Sequence, residues 1–202
     1  MVLVSTARKS FCETLAACVQ IAAKLIRELQ MSDVIYTATT TNDYAAFATL
    51  VTEYVDWSRK RYAADEWFIE QVFGYQSLDA ELLMLSTEYG PPNGKTLLAS
   101  RDGQIVGAGA YRTLADGSCE MKRLYVGELF HGHGTGRKLC EALIASAREE
   151  GFQLMRLDSG NLLKEAIAMY TSIGFRECPP HRKYPAELMP YLVFMALSLT
   201  GD

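Results

Sequence analysis

Residues 125–151 read YVGELFHGHGTGRKLCEALIASAREEG, and they organise the rest of the chain. A β-rich run, Glu120 to Val126, ends inside this stretch. Three alternating glycines follow, Gly132, Gly134 and Gly136, and an amphipathic helix starts at once. Glycines there let the backbone approach a ligand closely and turn its N–H groups toward it. The free N–H groups and positive dipole end of the new helix favour an anion. Arg137 and Lys138 in the first helical turn are badly placed for the dipole and well placed for phosphate. The loop reads as a pyrophosphate cradle. It is not a P-loop, because Gly136 is followed by Arg137-Lys138-Leu139 and not by Lys and Ser/Thr. Nor is it a dinucleotide fingerprint, because the spacing is G-x-G-x-G.

The stretch resembles the acyl-CoA loop of the GNAT acetyltransferase superfamily, whose pattern is Arg/Gln-x-x-Gly-x-Gly/Ala at the head of a helix. His131-Gly132-His133-Gly134-Thr135-Gly136 matches at both glycines, with His131 where Arg or Gln is usual. Glu120-Met121-Lys122-Arg123-Leu124-Tyr125-Val126 resembles the central strand leading into the cradle, and Leu154 to Asp158 the next strand. Ala166 to Phe175 is similar to the family's Ala…Tyr…Gly-Phe helix, and Phe175–Pro180 and Tyr191–Leu199 resemble the closing strands. The resemblance covers about Val34 to Leu199. It implies acetyl-CoA as cosubstrate, held by Leu124, Tyr125 and Val126 on the strand and by residues 131–138 of the loop: His131, Gly132, His133, Gly134, Thr135, Gly136, Arg137 and Lys138.

At 202 residues the chain suits one domain with a real core. It is 49% hydrophobic and 22% charged, without repeats. A net charge of −4 argues against non-specific nucleic-acid binding, so an anionic ligand needs a local site. The five cysteines form no C-x-x-C pair and read as reduced thiols of a cytoplasmic protein. Residues 1–30 form an extension before the GNAT-like domain of residues 31–202. Phe11 to Leu29 is apolar with helical spacing, but Glu13, Lys24, Arg27 and Glu28 interrupt it, so it reads as an amphipathic helix and not a membrane span. Its apolar face packs on the domain or pairs two chains as a homodimer.

Further elements follow from periodicity and turn chemistry. Val34 to Thr39 alternates as an edge strand, with Asn42 or Asp43 capping the helix after it. A second helical region covers about Asp65 to Ser86. Strands Lys95–Ser100 and Gln104–Tyr111 meet at Asp102-Gly103, a hairpin signal, and Ala115-Asp116-Gly117 marks the next hairpin. Gly151 and Gly174 stop the helices that precede them. The expected fold is α/β: a mixed, mostly antiparallel central sheet with helices on both faces, plus the extra N-terminal helix.

Acetyl transfer to an amine needs a polarised thioester carbonyl, a neutral amine against it, and a proton for the leaving thiolate. Tyr170, at the position of the family's helix tyrosine, is the candidate general acid, since a phenol retains its proton at pH 7. It also lies on an apolar face with Leu163, Ala166 and Ile167, where a tyrosine serves equally as core. Glu120 is the candidate base. Strict alternation puts Glu120, Lys122 and Leu124 on one face and Cys119, Met121, Arg123 and Tyr125 on the other. A salt bridge to Lys122 or a contact to the substrate ammonium accounts for Glu120 as well. Ser159 and Asn161 read as caps of the following helix. No metal is expected, because His131, His133 and His181 lack tight ligand spacing.

By the family's arrangement the acceptor enters opposite the cofactor, over Trp57–Trp67 and Pro179–Pro190. Trp57, Tyr62, Trp67 and Tyr184 with Asp56, Asp65 and Glu66 suit a small amine with an apolar part, or read as core and solvated face. The resemblance thus implies an N-acetyltransferase acting on a small-molecule amine by direct attack in a ternary complex. A CoA-binding sensor without catalysis and a peptide N-terminal acetyltransferase are the alternatives.

Overall fold

The computed structural model describes residues 33–200. The expected N-terminal helix, and Cys12 and Cys18 with it, lies outside the described residues. The fold begins with β1 (Val34–Thr37) and α1 (Thr41–Arg61), then three shorter helices, α2 (Glu66–Tyr75), α3 (Leu78–Leu83) and α4 (Leu85–Glu88). A meander of β2 (Gly94–Arg101), β3 (Gln104–Thr113) and β4 (Cys119–Val126) leads to α5 (Thr135–Glu149). The chain closes with β5 (Leu154–Gly160), α6 (Lys164–Ile173), β6 (Arg176–Glu177) and β7 (Leu192–Ser198). The seven strands form one sheet in the order β1-β2-β3-β4-β5-β7-β6, antiparallel except between β4 and β5. The expected fold class is the observed one. Among the described residues no helix is long and apolar enough to cross a membrane.

Alternation along the meander sorts side chains to two faces. Leu97, Ala99, Val106, Cys119 and Met121 pack with Leu139, Cys140, Leu143, Ile144 and Ala147 of α5. Leu98, Ala108 and Ala110 pack with Phe47, Leu50 and Val51 of α1. A third cluster joins α1 and α2 through Val55, Tyr62, Phe68, Ile69, Val72 and Phe73 to Leu163 and Leu188. Burial pushes the thiols of Cys119 and Cys140 up to about 12, so both are inert core groups.

Local chemistry sets the boundaries. Asp102 (φ 52°) and Gly103 (φ 79°) are both left-handed, as the two-residue hairpin requires. The cap of α1 is Thr40 and not Asn42 or Asp43: its side chain accepts from the Asp43 N–H, and the Asp43 carboxylate accepts from the Thr40 N–H. The single helical region expected over residues 65–86 is three helices, because left-handed Ser77 (φ 55°) ends the first and Met84 separates the others.

Two irregularities open the middle of the sheet. In β4, Ala110 pairs with Lys122 but Ala108 pairs with Tyr125, so Arg123 and Leu124 together oppose Gly109. Arg123 takes φ 55° at this bulge. A Cβ on Gly109 would meet Leu124 at 2.8 Å and Leu143 at 2.9 Å, so the bulge needs glycine opposite it. The extra residue overturns the strict alternation expected for this strand: Leu124 packs toward the α5 side, while Tyr125 packs with the α1 side. Beside it, β4 and β5 pair only at Cys119↔Met155 and Glu120↔Arg156, and beyond that they part.

Candidate active site

The parted strands lead into the glycine loop. After Val126 the chain makes a 3-10 turn at Glu128–Phe130, then passes through Gly132 (φ 80°) and Gly134 (φ 83°) into α5. Gly134 is the N-cap and offers no side-chain acceptor, so the first N–H groups of α5 are left for another partner. Gly136 has a different reason to be glycine. Its φ is ordinary, and a Cβ there would meet only Val126, at 3.8 Å, so the side chain's space is left to whatever lies over the helix end. Thr135 is buried and faces backward, donating to Asp33 (2.8 Å) and accepting from Arg101 (3.0 Å). Arg137 pairs with Glu141 and Ser172, and Lys138 reaches Asp33 at 3.4 Å.

His131 fastens the loop to the strand. Its Nε2–H donates to the Val126 carbonyl at 2.7 Å, and its ring stands edge-on to Trp57 and Tyr125. His133 is exposed, with Nδ1 3.4 Å from the Phe130 carbonyl.

A cavity of about 650 Å³ lies between the parted strands and is lined by Leu124, Tyr125, Val126, His131, Gly132, Gly134, Thr135, Gly136 and Arg137. The same cavity is lined by Tyr170 and, on its other side, by Tyr54, Trp57, Phe68, Phe73, Gln76, Lys122 and Asp158. His133 and Lys138 are not among the lining residues. Tyr170 packs with the α5-side core, its ring T-shaped to Phe175. Burial raises its phenol well above the usual tyrosine range, with Cys140, Tyr54 and Asp158 adding to the effect. Being core and facing the cavity are both true of this tyrosine.

Glu120 departs from expectation. Its carboxylate is fully buried and does not line the cavity. One oxygen accepts from Arg112 at 3.1 Å; the other takes Arg182 and His181 Nε2, the latter at 2.9 Å. A general base needs a lone pair facing the substrate, and this one is surrounded by three donors. The expected alternative, a bridge to Lys122, is not made either, because Lys122 pairs with Asp158.

Asp158 is the residue that sequence reasoning missed. It accepts from Lys122 Nζ (3.2 Å) and the Tyr184 hydroxyl (2.6 Å), and Gln76 bonds both Lys122 and Tyr184. Burial pushes the Asp158 carboxyl up, but Lys122 and the Tyr184 hydroxyl more than offset this and hold it below its ordinary range. Burial lowers the Lys122 ammonium. The available signal was an acid near the end of a core strand, where side chains face the parting. Arg123 and Glu81 form a second buried pair beside it, joined by two 2.7 Å bonds. The expected caps are not caps: Ser159 is buried in β5, while Asn161 bonds Tyr62 and the Pro190 carbonyl.

Glu120, Asp158 and His181 bring donor atoms within 4.8 Å of one another. Arg112, Arg182 and Lys122 already face these carboxylates, so the group has the composition of an ion-pair network and not of a cation site.

Residues 50–175, more than half the chain, match the acetyltransferase (GNAT) family. The chain belongs to the GNAT family. An uncharacterised N-acetyltransferase of Schizosaccharomyces pombe is 34% identical over 128 residues, 62% of this chain and 77% of that protein. An uncharacterised N-acetyltransferase of Escherichia coli K12 is 32% identical over 105 residues, 50% of this chain and 63% of its own length. The fold is shared with PaiA N-acetyltransferase of Thermoplasma acidophilum, solved in complex with coenzyme A (TM-score 0.59, 17% identity, 83% of this chain and 99% of that one). This GNAT protein is an acyltransferase, and its family uses acetyl-CoA.

Proposed function

We propose that this protein transfers the acetyl group of acetyl-CoA to the amine of a small molecule by direct attack in a ternary complex. The observation that carries the reading is a single cavity lined by the glycine loop, by Tyr170 and by Asp158. Donor and acceptor can then meet without an acyl-enzyme between them. In this reading the pyrophosphate lies over the first N–H groups of α5 with Arg137 and Lys138 beside it. Leu124, Tyr125 and Val126 hold the pantetheine arm along the parted edge of β4.

The acceptor amine, held at the Asp158 carboxylate, attacks the thioester carbonyl carbon. The N–C bond forms, the C–S bond breaks, and the sulfur takes its proton from the Tyr170 hydroxyl. The ammonium loses one proton to solvent before attack and the nitrogen a second after it, and solvent returns one proton to the Tyr170 oxygen. Orientation of the two substrates supplies most of the rate, on the order of 7–11 kcal/mol in well-aligned systems. Glu120 anchors Arg182 and His181 and has no proton-transfer role in this reading. Incubation with isotope-labelled acetyl-CoA and a panel of amines should give labelled amide by mass spectrometry. A protein that binds CoA and acetylates none of them is a CoA sensor instead.

A further inference from the structure

Three residues far apart in the sequence close a ring of hydrogen bonds behind the glycine loop. Asp33, just before β1, accepts at one oxygen from Arg101 Nε (2.9 Å) and at the other from the Thr135 hydroxyl (2.8 Å). Arg101, the last residue of β2, also donates to the Thr135 hydroxyl at 3.0 Å. All three side chains are buried. Lys138, in the first turn of α5, brings a second cation to 3.4 Å from Asp33. Burial pushes the Asp33 carboxyl up, but the bonds from Thr135, Arg101 and Lys138 and the Arg101 charge more than offset this and hold it below its ordinary range. Asp33 is therefore an anion at neutral pH.

The ring reaches both ends of the loop. Thr135 is the first residue of α5, and the Arg101 guanidinium also lies over the Phe130 ring, 5.7 Å from its centroid, where the 3-10 turn ends. Residues 131–134 lie between these two points. Two of them are glycines at positive φ, and a Cβ on either would meet nothing within 4 Å. A segment with so little packing of its own is costly to order, and binding is tighter when that cost is met before the ligand arrives. Neither Asp33 nor Arg101 lines the cavity, so any effect they have on a ligand passes through Thr135 and Phe130, which do.

We propose that Asp33 and Arg101 are positioning residues for the pyrophosphate of CoA: through the Thr135 hydroxyl and the Phe130 ring they hold the loop and the first turn of α5 in the shape that takes the phosphates. The proposal rests on the acetyl-CoA reading above and deepens it. Charge alone makes the opposite prediction. Without the Asp33 carboxylate, Arg101 and Lys138 stand uncompensated beside the cradle and attract a polyanion more strongly. Positioning predicts weaker binding from the same change.

The test is CoA affinity by calorimetry on the full-length protein. Asp33→Asn keeps the shape of the side chain and removes its charge, and Thr135→Val keeps the shape and removes the hydroxyl. Each should weaken CoA about tenfold, and the double variant should lose no more than about threefold beyond either single one, because both changes open the same ring. Thr135→Ser restores the hydroxyl and should bring affinity back to within about threefold of wild type. Tighter binding by Asp33→Asn, or an affinity within about twofold of wild type in Thr135→Val, overturns the proposal. Losses that multiply to about 100-fold in the double variant also overturn it, since the Thr135 hydroxyl would then act on CoA without Asp33. Should Asp33→Asn fail to fold, the contrast between Thr135→Val and Thr135→Ser decides. A wild-type protein that does not bind CoA overturns the acetyl-CoA reading itself.

Discussion

Tyr170 and Gly134 carry the two halves of the account at the scale of single residues. Tyr170→Phe keeps the ring that packs on Phe175 and removes only the proton donor. It should lower kcat by about 100-fold while acetyl-CoA affinity changes by less than about twofold. A wild-type kcat would make Tyr170 a core residue alone. Gly134→Asp puts a carboxylate and a Cβ at φ 83°, where the phosphates of CoA are expected. CoA affinity by calorimetry should fall at least about tenfold in that variant; an unchanged value would remove the cradle from the account. Gly134 was read from a glycine spacing at a helix head and Tyr170 from its match to the family's helix tyrosine, and both line the same cavity. The roles of Glu120 and Asp158 were not legible in the sequence. What decides between them comes from elsewhere in the chain: His181 and Arg182 close over the first, while Gln76 and Tyr184 orient the second.

At the scale of elements, the bulge in β4 and the brief pairing of β4 with β5 make the site. Alternation read from sequence assumes an unbroken register, so the two residues opposite Gly109 could not be seen in it. The hairpin at Asp102-Gly103 and the stops at Gly151 and Gly174 were legible, since each rests on a backbone conformation that few residues adopt. The cap of α1 was read two or three residues late, at Asn42 or Asp43, because Thr40 and Asp43 act as a reciprocal pair and either alone reads as a cap. Thr40→Ala should therefore cost about 1 kcal/mol by denaturant titration without altering CoA affinity. A loss of affinity would mean that α1 is coupled to the cradle beyond its packing against the sheet.

For the whole molecule, the buried ion pairs around the cavity link stability to pH. Burial pushes the Glu81 and Asp158 carboxyls up, but their cations more than offset this and hold both below their ordinary range in the fold. Their contribution is then complete above the unfolded carboxylate values, about 4, and is lost as pH falls through the lower folded values. Thermal stability should decline on acidification below about pH 4, and less steeply in a Glu81→Gln/Arg123→Met double variant. Removal of residues 1–30 should leave CoA binding intact by calorimetry, since Asp33, which pins Thr135 and Lys138, is retained with every cradle residue. The central claim is that both substrates occupy one cavity and react directly. Initial rates measured with acetyl-CoA and the acceptor amine varied together test it: double-reciprocal lines should intersect, and protein exposed to acetyl-CoA alone should carry no acetyl group. Parallel lines with an acetylated enzyme would contradict it.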